Sequence, residues 1–225
     1  METSLSLNMD NKKRNLIIWD FDGPIIDSRK IALELVQRHF HDVTEDSHRN
    51  MFSKNIFEEL AKLRKKDVSQ ESHDHFLATS YWPRKMELSP VPGIAEVILS
   101  LSKSFDMVVN SSSEHAQISN YLQKNNLIKF FQKIYGNEVK SKEEKFKMIL
   151  QDFKVSPQNC ILITDTLGDV LEAENLNIPS IVVLWGYQFK NHFDSVSNTV
   201  IFVKKPNDII SVVINHFARI KSNGV

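Results

Sequence analysis

Five short apolar runs recur along the chain, each closing on a polar or small residue: 15–20 (NLIIWD), 106–110 (DMVVN), 160–165 (CILITD), 180–185 (SIVVLW) and 199–203 (TVIFV). They are rich in β-branched residues and do not alternate with polar ones, as strands buried on both faces should not. A weaker run at 133–135 (KIY) adds a sixth. Helical spacing fills the intervals. Pro92-Gly93 opens a stripe of Ile94, Val97, Ile98 and Leu101, and Ser113-Glu114 opens another carrying Ile118, Leu122 and Leu127. Phe146, Ile149, Leu150 and Phe153 form a third stripe, and Ile209, Ile210, Val213 and Phe217 a fourth. Strand alternating with helix predicts a doubly wound parallel α/β sheet with right-handed crossovers.

One interval breaks the rhythm. Residues 27–90 hold no convincing strand, yet Ile31, Leu35 and Val36, then Phe52, Ile56, Phe57 and Leu60, sit at helical spacing. So long a stretch is not a loop, and a small all-α insertion after the first strand is expected. Trp82-Pro83 and Pro90-Val91-Pro92 are both plausible exits from it. Within it, Arg64, Arg84 and Lys85 could meet a substrate carboxylate or merely solvate a helix.

Charge and composition narrow the function classes. Lys+Arg 28 balances Asp+Glu 28 over 225 residues, so a strongly basic nucleic-acid or anionic-membrane binder is not the first reading. Hydrophobic content of 41% with 14 Phe is enough for a sizeable core, while no run reaches the ~20 apolar residues of a membrane span. A single cysteine, Cys160, excludes an intramolecular disulfide and reads as a small buried hydrophobe. The opening residues METSLSLNMDNKKRN lack the apolar core of a secretory signal, and a cytoplasmic protein is expected.

The chemistry lies at the strand ends. In LIIWDFDGPIIDS (16–28) a buried strand delivers Asp20 and Asp22 to its carboxyl end, followed at once by Gly23. That edge is where open α/β sheets bind ligands. Two unpaired carboxylates 4 Å apart would repel by about 4 kcal/mol at an effective dielectric near 20, so something positive must sit between them or one must hold a proton. CILITDTLGD places Asp165 at a second strand tip and Asp169 near the start of the next helix. Those four acids on one rim would make an oxygen-only pocket of the kind Mg²⁺ prefers, and the absence of Cys and His from these segments disfavours zinc. Asn110-Ser111-Ser112-Ser113 would bring hydroxyls and free N–H groups to the same rim, with at least one serine capping the next helix. Lys140, Lys142 or Lys145 could project over the pocket. Carboxylates, a divalent ion, a serine and a lysine together describe a phosphoryl-transfer site. His73, Asp74 and His75 read as a polar loop rather than a metal site.

With these residues in order, the chain resembles the haloacid dehalogenase superfamily of phosphohydrolases, in particular its phosphoglycolate-phosphatase-like group with a helical cap. DFDG at 20–23 with Asp27-Ser28 matches the first motif, Ser111 the second, Lys142 the third, and Asp165 with Asp169 the fourth; IPSIVVLWGYQ (178–188) resembles the segment that follows. The resemblance implies a Rossmann-like core over 15–26 and 91–225, a cap over 27–90 and a disordered tail over 1–14. It implies Asp20 as nucleophile forming an aspartyl-phosphate and Asp22 as general acid and base. It further implies Mg²⁺ held by Asp20, the Asp22 main-chain carbonyl and Asp165, with Asp169 supporting the metal shell or the lysine. Gly23, Ser111, Ser112 and Lys142 would bind phosphoryl oxygens. The expected partner is a small phosphorylated metabolite, with no nucleic acid and no membrane, and oligomeric state open. Pro24 and Thr164 depart from the usual Thr and Gly, Ser112 could replace Ser111, and Lys145 could replace Lys142. A sugar phosphomutase and a catalytically idle binding module are the alternative functions.

Overall fold

The computed structural model describes residues 15–40, 42–63, 79 and 81–223. The tail at 1–14, Arg64 and the His73-Asp74-His75 segment lie outside the described residues.

Strand β1, Leu16–Trp19, leads into helices α1 (Arg29–His39), α2 (Glu45–Met51), α3 (Ile56–Leu63) and α4 (Trp82–Met86). Then follow α5 (Ile94–Ser102), β2 (Asp106–Asn110), α6 (His115–Lys124), β3 (Lys133–Tyr135), α7 (Lys142–Phe153), β4 (Cys160–Thr164), α8 (Leu167–Glu174), β5 (Ser180–Val183), β6 (Val200–Val203) and α9 (Asp208–Asn223). The strands form one sheet in the order β3-β2-β1-β4-β5-β6, every pair parallel. The order reverses at β1, the switch point of a doubly wound sheet.

The unbroken apolar runs follow from burial on both sides. Ile17 and Trp19 of β1 pack with Met107, Val109, Ile161 and Ile163 against α5, α6 and α9. Leu16 and Ile18 face the other way, with Val108, Cys160 and Leu162 against Phe146 and Ile149 of α7. Edge strand β6 relaxes the rule, leaving Ile201 exposed. The expected helix through Leu127 ends earlier. Asn126 takes a left-handed φ of 58°, so the Leu127 N–H reaches back to the Leu122 carbonyl at 2.7 Å and the Asn126 N–H to Gln123 at 3.1 Å. This closure still buries Leu127.

The chain leaves the sheet after Ile26 and returns beside it. Ile26 bridges Pro90, and the Val91 N–H donates to the Ile25 carbonyl at 2.9 Å. Trp82-Pro83 opens α4, with Pro83 in its first turn, where a missing N–H costs nothing. No helix among the described residues is long and apolar enough to cross a membrane.

Candidate functional site

Register decides which residues meet. Trp19 pairs with Val109 of β2 and Ile163 of β4, so Asp20, Asn110 and Thr164 emerge level at the carboxyl edge. The Asp20 N–H extends the ladder by one bond to the Ile163 carbonyl at 2.9 Å. Just beyond, Asp165 leaves β4 fully buried.

Asp20, Asp165 and Asp169 act on one another's charge while Asp22 is held apart, and each lysine serves its own set. Lys142 Nζ lies 3.0 Å from Asp20 Oδ1 and 2.5 Å from Asp169 Oδ2, with all three side chains buried. Burial pushes the Asp20 carboxyl up to about 7, against the pull of Lys142 and with help from Asp169 and Asp22. Burial acts the same way on Asp169, but Lys142 and the Thr164 hydroxyl overcome it and hold that carboxyl below its ordinary value. Thr164, where the family usually has glycine, thus supports the acid beside it, its Oγ1 donating to Asp169 Oδ2 at 2.7 Å.

Asp22 points elsewhere. Lys85 Nζ of α4 lies 2.5 Å from its Oδ1, Ser28 Oγ donates to Oδ1 at 2.5 Å and Ser113 Oγ to Oδ2 at 2.7 Å. Against the burial that raises it, this set holds the carboxyl below its usual range, Lys85 foremost. Each of the two acids thus has a lysine of its own, and the raised Asp20 carboxyl is also the one of the pair that more readily holds a proton. The sequence reads Lys85 as a surface or substrate-facing residue, yet it is 2% exposed and stacks its charge near Phe21 and Trp82, 5.1 and 4.8 Å from the ring centres. No local pattern announces a lysine 63 positions from its partner.

Serine roles also differ from expectation. None of Ser111, Ser112 and Ser113 caps α6, whose N-cap is Glu114 without a side-chain bond. Ser113 is drawn away by Asp22 and by Lys85, 2.9 Å from its hydroxyl, while Ser111 Oγ accepts from the Ser113 N–H at 3.1 Å. Both Ser111 and Ser112 line the same cavity as Asp20. The lysine alternative is separated clearly: Lys145 donates to the Ser111 carbonyl at 2.5 Å and to Gly136 at 3.2 Å, bracing that loop rather than reaching Asp20. Burial and the nearby Lys142 push its ammonium down to about 7.

Asp165 is clamped from both sides. A Cβ on Gly23 would fall 2.1 Å from its Oδ2, and one on Gly186 would fall 2.2 Å from the same atom. Gly23 also carries a φ of 99°, which favours glycine independently. Asp165 Oδ2 accepts from the Tyr187 N–H, while Oδ1 is buried without any partner. Burial, then Asp20, push this carboxyl upward. A buried carboxylate oxygen with no donor, beside a second carboxylate, is a seat that suits a hard cation. Among the described residues no three His, Cys, Asp or Glu side chains gather as a metal cluster, so the expected pocket of four acids is not formed by side chains alone.

Over this floor lies a cavity of about 230 Å³, lined below by Asp20, Asp22, Ser111 and Lys142 and above by residues of α1, α3 and α4. The upper helices lock onto the sheet edge through main-chain contacts: the Gly168 N–H donates to Phe52 at 2.9 Å, and Gln188 Nε2 to Arg49 at 2.9 Å.

Among solved structures, this fold matches a predicted phosphatase from Clostridium acetobutylicum (TM-score 0.75, 20% identity, covering 90% of this chain and 99% of that one). It also matches a haloacid dehalogenase-like hydrolase family protein from Streptococcus pneumoniae (TM-score 0.70, 20% identity, 89% and 99% covered). At such identity these likenesses speak for the fold alone. By sequence, the chain is 21% identical to a phosphoglycolate phosphatase of Synechococcus elongatus over 213 residues, 88% of this chain and 96% of that protein. Residues 17–183, from the first strand through β5, match the family profile described as haloacid dehalogenase-like hydrolase. The chain belongs to the haloacid dehalogenase-like hydrolase family.

Proposed function

We propose that this protein is a Mg²⁺-dependent phosphatase that hydrolyses a small phosphorylated metabolite through an aspartyl-phosphate on Asp20, with residues 27–90 serving as the cap over the site. The reading is carried by one observation: Asp20, touched by Lys142 at 3.0 Å, lines the floor of a cavity, and Asp165, close enough for the Asp20 charge to raise its pKa, keeps one oxygen buried without a partner. Asp20 and Asp165 would hold the ion with the Asp22 main-chain carbonyl. When bound, Mg²⁺ supplies positive charge that offsets the oxygens of the transferring phosphoryl group.

The remaining steps fall to the chain itself. An Asp20 carboxylate oxygen attacks phosphorus while the P–O bond to the leaving alcohol breaks, and Asp22 gives that oxygen its proton. Water then attacks the phosphorus of the acyl phosphate, Asp22 takes its proton, and the Asp20–phosphorus bond breaks. Lys142 and Ser111 bind the phosphoryl oxygens, and Asp169 with Thr164 orients Lys142. In the arrangement described, Lys85 keeps Asp22 ionised, the form that receives the proton from water. The proton-donating form needs that contact to lengthen when substrate enters.

The test incubates purified protein with p-nitrophenyl phosphate and a panel of phosphometabolites, with and without Mg²⁺. Metal-dependent release of orthophosphate that disappears in Asp20→Asn is the expected result. Release undiminished in that variant, or equal without metal, overturns the reading.

A further inference from the structure

Much of the upper wall of the cavity is hydrocarbon. Leu35 and Val36 of α1, Ile56 and Leu60 of α3, with Phe52 and Trp82, face the space above Asp20 and Lys142. Leu35, Phe52, Ile56 and Leu60 are only partly buried, so apolar surface is left open above a phosphate-sized floor. Of the polar groups there, Asn55 is committed, its Oδ1 accepting from the Phe57 N–H at 3.0 Å and its Nδ2 reaching the Lys140 carbonyl at 3.4 Å and Glu172 at 3.3 Å, whereas the Trp82 indole N–H is buried without a partner. Among the described lining residues the cations are Lys142, already held by Asp20 and Asp169, and the exposed Lys54, whereas Glu114 and Glu172 add negative charge. A substrate with a second anionic group would meet acids and alkyl groups there, and a sugar would set several hydroxyls against mostly alkyl surface with one free indole donor, at a cost for each left unpaired. The volume of about 230 Å³ falls below the ~300–1,000 Å³ of pockets for drug-sized ligands, which limits the leaving group to a small one.

We propose that the preferred substrate is a monophosphate ester whose alcohol is small and apolar, seated against Leu35, Val36, Ile56 and Leu60, rather than a phosphorylated hydroxy acid or sugar. This rests on the phosphatase reading above. The apolar wall binds ground state and transition state alike, so its effect falls mainly on KM.

The experiment measures kcat and KM for ethyl, butyl and hexyl phosphate, whose leaving alcohols are similarly basic, beside phosphoglycolate and glucose 6-phosphate, all with Mg²⁺. Each methylene buried is worth up to about fourfold in kcat/KM, so a rise of at least about tenfold from ethyl to hexyl, expressed in KM, is expected. Phosphoglycolate and glucose 6-phosphate should fall below hexyl phosphate. Leu60→Ser should lower the hexyl-to-ethyl ratio; an unchanged ratio removes this wall from the assignment. Orthophosphate release with a flat alkyl series, or with phosphoglycolate or the sugar phosphate preferred, overturns the inference and leaves the phosphatase reading standing. Release from none of the esters overturns that reading and the inference with it.

Discussion

Take the ammonium of Lys142 away and two buried carboxylates, Asp20 and Asp169, lose the charge that both contact. Lys142→Met is therefore expected to lower stability by about 3 kcal/mol, the scale of a broken buried ion pair, and to abolish phosphate release. Adding Asp169→Asn to that variant should recover part of the stability and none of the activity, which urea titration and a phosphate assay on the two proteins would separate. Thr164→Val keeps the strand and its shape but removes one donor to Asp169 at 2.7 Å. About 1.5–3 kcal/mol is expected for a bond to a charged group, read by the same titration. These two residues differ in how far the sequence discloses them. Lys142 and Lys145 share a helix face one turn apart, so spacing names both, and only the fold shows that one meets Asp20 while the other meets the Ser111 carbonyl. Thr164 reads in the sequence as a departure from the family pattern, and its hydroxyl bond to Asp169 exists only once β4 and α8 are folded. Lys85 is illegible, because its partner Asp22 lies in a different stretch of chain and nothing between them sets a period.

Turns, more than strands, set the tolerance of the site. Gly186→Ala would place a methyl 2.2 Å from the Asp165 side chain, between the end of β5 and the tip of β4. Asp165 has to shift, so a loss of about 1–3 kcal/mol from overpacking and about a hundredfold or more in kcat are expected, with weakened Mg²⁺ dependence as the added sign. Gly93→Ala is the contrast. Its φ of 87° is unfavourable for alanine, but the nearest atom to the new Cβ is Pro206 at 3.9 Å. Stability should fall by about 1 kcal/mol or more while kcat stays at the parent value, measured on the folded fraction. At this scale the strands are readable from the apolar runs alone, since every β1 side chain is buried on one face or the other. Helix ends are not: the stripe ending in Leu127 hides a left-handed Asn126, and Ser113, placed where a cap belongs, is recruited by Asp22 instead. Hydrophobic spacing encodes neither.

Between the sheet and the helices that follow β1, the molecule is joined by an aromatic cluster. His48 of α2 lies edge-on to Phe52 at 5.2 Å, and Phe52 packs on Tyr187 at 4.5 Å, the residue whose N–H holds Asp165. The insertion is legible as helical from Phe52, Ile56 and Leu60, but this joint is not, because it pairs residues some 140 positions apart. Burial, and then the neighbouring Arg49, push the His48 imidazole down to about 4 from an ordinary 6.5. It is neutral in the fold and protonated when unfolded across that interval, so the unfolded chain binds one more proton there. Stability must then fall as pH drops from about 6.5 to about 4, by about 3 kcal/mol in total at 1.36 kcal/mol for each pH unit, and be insensitive to this group above 7. His48→Phe keeps a ring in the cluster and carries no titrating group. Urea midpoints measured from pH 4 to 7.5 should show a slope that is shallower in the variant by up to one proton's worth across this window. Parallel slopes for the two proteins would mean that the imidazole is free to take its proton without leaving the cluster.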